Sequence, residues 1–282
     1  MYFETAKIKL NSYENYNGVN VYFDSMTEVI NYIDSHVDTN DIYFKRYADN
    51  RKQEDFNITN SYNEAITLSK TGWNEGTSKI NELLTKKYNI NNNCVKTKPE
   101  YSISGFQCSV PRYLQGIPTN MINTKRVPAK QKTMTIVKHI GFLCNVTTDE
   151  IIDNSTKALA IIQKLESQGT RCNLDIISPC TVKGYTINIR IRIKSAKDKS
   201  NIGILAFAIA HPDMLRRVIF ALRIAIAEDE TITQVPEYAI GTWKTIYNRD
   251  VILSQILKPN EKYLHNFIDN VEDEVEKFNS MK

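Results

Sequence analysis

The chain has 282 residues, 41% hydrophobic and 24% charged, with a net charge of +4. That hydrophobic fraction is too high for a disordered chain, five Cys are too few for a disulfide scaffold, and eight Pro with ten Gly exclude collagen-like or linker-like sequence. A folded core is expected, in one large domain or two small ones.

The total charge hides unlike parts. Residues 1–100 carry 12 Lys/Arg against 14 Asp/Glu, residues 101–225 carry 18 against 7, and residues 226–282 carry 6 against 11. From Tyr101 to Thr148 there is no acid at all, while Arg112, Lys125, Arg126, Lys130, Lys132 and Lys138 fall in the same stretch. A basic middle between acidic ends points to an anionic partner, or to a charge match inside the protein or between subunits.

The first hundred residues read as a mixed α+β region. Val19 to Asp24 alternates like a strand, and Ser25 with Glu28 forms a capping box that opens a helix burying Met26, Val29, Ile30 and Ile33. Ser61 with Glu64 opens a second helix that should stop at Gly72, and a third is expected from Thr77 to about Tyr88. The polar run 89–93 marks an internal boundary, because Asn side chains compete for backbone hydrogen bonds. Residues 101–131, with Pro111, Gly116, Pro118 and Pro128, read as an irregular basic connection, and a connection of that length tends to be functional or to hold an interface.

An α/β core is expected from residue 132 to the end. Thr133 to Asn145 has strand character, Thr147 and Glu150 form a capping box, and a helix to Gln168 follows, with Gly169 after it. Arg171 to Ser178 is the next strand, which completes a βαβ unit with parallel strands. Tyr185 to Lys194 alternates throughout: Ile187, Ile189, Ile191 and Ile193 lie on one face, Asn188, Arg190, Arg192 and Lys194 on the other. The second face is expected to be wet and basic. Ile204 to Ala210 is read as a helix, and His211 as the N-cap of another with Pro212 at its first position, from which Arg216, Arg217 and Arg223 project away from the core. A last helix is expected over about Glu261 to Phe278. No run approaches the roughly 20 apolar residues of a membrane span. The start has no apolar signal region, so the cytoplasm is the expected location. The five Cys, with no CxxC pair, are expected to be buried thiols.

Ligands of parallel sheets bind beyond the carboxyl ends of strands, which directs attention to the turn after Asn145. It holds neither GxGxxG nor GxxxxGK[ST], so the common phosphate cradles are not expected. The βαβ unit, with oxygen-bearing side chains at this turn, resembles the core of von Willebrand A-type domains, which hold a divalent cation through Asp-x-Ser-x-Ser. Asn145, Thr147 and Asp149 occupy the matching positions, so the leading Asp and the second Ser are replaced. Helix capping is the expected role of the turn, with a bound divalent cation as the alternative. The four His are scattered without metal or dyad spacing, and GxSxG is absent. The basic strand face, joined by Lys125, Arg126, Lys130 and Lys132, has the spacing to follow phosphates but lacks stacking aromatics.

Three segments, AITLSKTGWNEG (65–76), VPRYLQGIPTNM (110–121) and FAIAHPDMLRR (207–217), resemble a family of tailed-bacteriophage proteins with a VPxYLxGxPxxM element. That resemblance implies a viral protein made in the cytoplasm of an infected bacterium, and it carries no activity to transfer. The sequence therefore leads to a Rossmann-like or von Willebrand A-like three-layer core with C-terminal helices. The expected role is non-enzymatic, by protein–protein interaction or self-assembly as an oligomer, with a host factor as one candidate partner. Its expected contact residues are Arg112, Tyr113, Lys125, Arg126, Lys130, Arg190, Arg192 and Lys194. Nucleic-acid binding or processing through the basic centre is the alternative.

Overall fold

Alternation over residues 19–23 and 185–194 and the apolar run 132–139 build one sheet from distant parts of the chain. The computed structural model describes residues 1–10, 14–49, 58–88, 97–126, 132–141, 146–182, 185–229, 260–264, 268 and 270–280. Strands β1 (Tyr2–Leu10), β2 (Glu14–Phe23), β6 (Lys132–His139), β7 (Thr170–Val182), β8 (Tyr185–Lys194) and β9 (Glu261–Leu264) form a six-stranded sheet in the order β1-β2-β8-β7-β6-β9. β6 runs parallel to β7 and β9, β8 antiparallel to β7 and parallel to β2, and β1 antiparallel to β2. Helix α6 (Thr148–Ser167) links β6 to β7, so the expected βαβ unit is present and the fold is α/β with a Rossmann-like core. Because β2 pairs with β8, the expected boundary near residue 100 is crossed by the sheet itself.

The helices start where short-range chemistry places them. Ser25 Oγ accepts the Glu28 N–H at the head of α1 (Met26–His36), and Ser61 Oγ accepts the Glu64 N–H at the head of α3 (Tyr62–Thr71). Both glutamates reach back one residue beyond the cap, to the Asp24 and Asn60 N–H groups. At α6 the box is reciprocal: Thr147 Oγ1 accepts the Glu150 N–H, and Glu150 Oε2 accepts the Thr147 N–H at 2.8 Å. Helices α2 (Ile42–Tyr47), α4 (Asn74–Tyr88), α7 (Ile202–Ala210) and α8 (Phe220–Glu228) complete a helical layer on the face that carries Ile187, Ile189 and Ile191. There Phe23, Ile33, Leu159, Ile162, Phe207 and Leu222 join one continuous core. Val137, Ile177 and Tyr263 form a smaller cluster, and Val137 and Ile177 are fully buried, so β6 and β7 are covered on both faces.

The C-terminal expectation is corrected. Glu261–Leu264 is strand β9 and the helix, α9 (Val271–Ser280), starts later. The apolar residues read as its inner face, Leu264, Ile268, Val271, Val275 and Phe278, are all buried, and Val271, Val275 and Phe278 stand at helical spacing within α9. Before it, pairing with the edge of β6 outweighs helix propensity.

Gly72 closes α3 at φ 92°, and its N–H donates to Leu68 O at 2.8 Å. A Cβ there meets the carbonyl carbon of Gly203 in α7 at 2.9 Å, because the Trp73 N–H donates to Gly203 O. Gly72→Ala is expected to destabilise by about 2–4 kcal/mol, from positive φ and overpacking together. Gly203→Ala, whose Cβ has no neighbour nearer than 3.4 Å, is expected to be near neutral in the same chemical denaturation experiment. Equal losses at the two positions would contradict this asymmetry.

Candidate interaction surface

The basic strand face is not wet. Arg190 is 5% exposed: its Nε donates to Asp175 Oδ2 on β7 at 2.8 Å, and its two terminal nitrogens donate to both oxygens of Glu261 on β9 at 2.9 and 2.8 Å. Arg192, half-buried, forks onto Asp175 through Nε (2.8 Å) and Nη2 (3.1 Å). Two guanidinium groups and two carboxylates thus form a buried group with no net charge of its own. Burial works against the charged form of Arg190, but hydrogen bonds to Glu261 and the charges of Asp175 and Glu261 outweigh it and hold its pKa above the ordinary arginine range. Asn188 Nδ2 donates to Asn20 Oδ1 beside them.

Lys194 leaves this face. A register shift at Leu174/Asp175 sets it opposite Leu174, and its Nζ donates to Glu166 Oε1 of α6 at 2.7 Å and to Cys172 O. Lys138 is fully buried with Nζ donating to Asn154 Oδ1 at 2.7 Å. Arg190, Arg192 and Lys194 are therefore held in ion pairs within the chain. Acids of the C-terminal third neutralise cations of the middle, as Arg190–Glu261 and Lys164–Glu272 show. The charge asymmetry is in this part an internal match.

The segment expected to be irregular is instead a small antiparallel sheet. β3 (Thr97–Ser102), β4 (Gln107–Cys108) and β5 (Met121–Arg126) lie in the order β3-β5-β4, with a short helix α5 (Val110–Leu114) after β4. Pro111 sits in the first turn of α5, where its missing N–H costs nothing, and Gly116 at φ 68° turns the chain back. Arg112 pins α5 to the sheet. Its Nε donates to Thr119 O (3.0 Å), its Nη2 to Thr119 Oγ1 (3.1 Å), and its guanidinium lies 4.2 Å over the Tyr101 ring.

Within this sheet and helix none of residues 99–123 is buried. They nonetheless carry Tyr101, Ile103, Phe106, Val110, Tyr113 and Leu114 at 50–78% exposure. Among the described residues the other large exposed apolar side chains are Met1 and Ile42. Val110, Tyr113 and Leu114 stand at i, i+3 and i+4, the spacing of a helix face that ordinarily faces a core. Arg112 and Tyr113, two of the expected contact residues, lie on α5, while Tyr101, Ile103, Phe106, Val110 and Leu114 went unread. Their signal is the density of large apolar residues in a stretch with one charge between residues 101 and 124.

Lys125 and Arg126 lie in β5 opposite Lys98 and Thr97, at the end of the sheet away from the apolar tip. Lys130 and Asn145 lie outside the described residues. Thr147 is engaged in the α6 cap, and Asp149 is exposed with Oδ1 3.8 Å from Lys79 Nζ. Among the described residues there is no group of three or more His, Cys, Asp or Glu that could hold a metal ion. The expectation of buried thiols holds for Cys172, which burial pushes up to about 12, and fails for Cys108, which is exposed on β4.

The segments 65–76 and 207–217 meet in the core. The Trp73 and His211 rings pack edge to face at 4.7 Å, and His211 Nδ1 accepts the Asp213 N–H at 3.1 Å, so His211 is the N-cap the sequence suggests. The chain continues as a π-helix (Met214–Ile219) into α8. Arg216 and Arg217, expected to project from the core, are buried. Arg217 donates to Ala48 O (3.1 Å) and Thr59 O (2.8 Å), and Asp213 Oδ2 accepts the Ile58 and Thr59 N–H groups. Burial lowers the His211 pKa to about 4, against the opposing pull of Asp213 and Glu64. The unfolded chain takes up this proton near pH 6.5 and the folded one only near 4, so stability is expected to fall by about 3 kcal/mol as pH drops through that window and to level off below it. His211→Asn, which retains a cap but does not titrate, is expected to flatten that limb in urea titrations at pH 7, 5.5 and 4. An unchanged slope would assign the acid lability elsewhere.

A protein family described as "Domain of unknown function (DUF7192)" matches residues 7–276, and the chain belongs to that family. No curated protein and no solved structure matches the chain.

Proposed function

We propose that this member of the DUF7192 family works by protein–protein interaction, with the β3–β5 sheet and α5 as the docking element and the α/β core as its carrier. One observation carries the reading: six large apolar side chains within residues 101–114 stand exposed on an element in which none of residues 99–123 is buried. Exposed apolar side chains concentrated on one small element mark interaction sites, and Tyr, Phe and Arg are the residues that interfaces favour. The setting in a phage-infected bacterium is part of the same proposal and is supported by the resemblance of residues 65–76, 110–121 and 207–217 alone.

The nucleic-acid alternative drew on the basic strand, and Arg190, Arg192 and Lys194 are committed there to Asp175, Glu261 and Glu166. A photo-reactive phenylalanine analogue at position 113 tests the docking reading in cells that make the full chain. A protein adduct of discrete mass is expected at that position and none at exposed Lys197. Equal, diffuse labelling at both positions would overturn it.

A further inference from the structure

The partner that covers this surface is argued from area, charge and strand geometry, and the argument rests on the docking reading above. Large side chains carry about 150–250 Å² each. At 50–78% exposure the six residues together offer on the order of 700 Å². A standard interface takes roughly 800 Å² from each partner, so two copies of this patch supply the area of a stable dimer. Between residues 101 and 124 the only charged residue is Arg112, whose guanidinium is occupied by Thr119 and the Tyr101 ring. Lys98, Lys125 and Arg126 lie at the far end of the sheet. A two-fold contact sets a patch against itself, and a charged patch repels its own copy. This one holds one cation, Arg112, and borders on exposed Glu100 of opposite sign next to Tyr101, so its net charge is close to zero.

The strands direct the contact to side chains rather than to backbone pairing. β3 holds Pro99, which cannot donate to a further ladder, and β4 is two residues long. Strand addition at either edge is thereby disfavoured, and the outward face of α5 with Ile103 and Phe106 is left to make the contact.

We infer that the occupant of the apolar tip is the same tip of a second copy of this chain, so that the protein is a two-fold dimer joined through Tyr101, Ile103, Phe106, Val110, Tyr113 and Leu114. The test uses the full chain in sedimentation equilibrium, with Val110→Lys and Val110→Glu as variants, because Val110 is 61% exposed and neither change disturbs a core. The wild type is expected to be a dimer, and each variant alone to associate at least 100-fold more weakly. An equimolar mixture of the two is expected to recover a one-to-one dimer, since opposite charges then face each other across the axis. A wild type that stays monomeric at about 100 µM overturns the inference. So does a mixture no stronger than its components, which places the contact elsewhere. In either case an adduct at position 113 with a different protein keeps the docking reading, and its absence removes that as well. Near-UV circular dichroism of both variants, expected to match the wild type, separates lost association from lost fold.

Discussion

Arg190→Ala is expected to lower the unfolding free energy by about 3–5 kcal/mol, a large part of what a domain of this size has to lose. The loss comes from what remains, since Asp175 and Glu261 are left as buried carboxylates whose charge Arg192 alone cannot balance. Arg190→Lys recovers little, because a single ammonium cannot reproduce the bidentate contact with Glu261 together with the Nε bond to Asp175. Equilibrium denaturation with urea measures both. A change below about 1 kcal/mol for Arg190→Ala would show that the strand cations are solvated after all, and would reopen the nucleic-acid reading.

The triple substitution Ile103→Ser, Phe106→Ser, Leu114→Ser has the opposite signature. Each position is exposed, so stability is expected to change by no more than about 0.5 kcal/mol apiece. Association, in contrast, is expected to weaken by at least 100-fold, since buried apolar anchors at an interface cost about 1–2 kcal/mol each when removed. Sedimentation equilibrium and thermal denaturation on the same samples separate the two effects. A variant that unfolds but still associates when folded contradicts the assignment of these side chains to the surface.

The sequence was most legible where the deciding contacts are local. Ser25, Ser61 and Thr147 cap the helices that their spacing to Glu28, Glu64 and Glu150 announces, and the βαβ unit follows from one strand, one capped helix and the next strand. The alternation of β8 was also legible as a strand with two unlike faces. What alternation cannot convey is whether the polar face meets water. The partners of Arg190 lie 15 and 71 residues away, and no local pattern brings Asp175 and Glu261 to it. The same holds for Arg217, whose acceptors Ala48 and Thr59 come from the other end of the chain.

Residues 97–126 were hidden for a different reason. Pro and Gly between short strands mimic a loop, and β4 is too short to show a period. The expectation that this region holds an interface rested on its length and its basic charge, and not on its exposed apolar side chains. β9 was lost to the helical spacing that begins at Leu264, because pairing with the open edge of β6 is a tertiary preference.

The central claim, that the chain associates through residues 101–114, is tested most directly by backbone hydrogen exchange on the wild-type protein at two concentrations. At high concentration the amides of Phe106, Tyr113 and Gly116, bonded only to Ile122, Ser109 and Tyr113 of the same small sheet and helix, are expected to be strongly protected. On dilution that protection is expected to fall in the tip alone, with β6, β7 and β8 unchanged. Exchange at the tip that is rapid at both concentrations, or protection that changes instead along β8, would contradict the account.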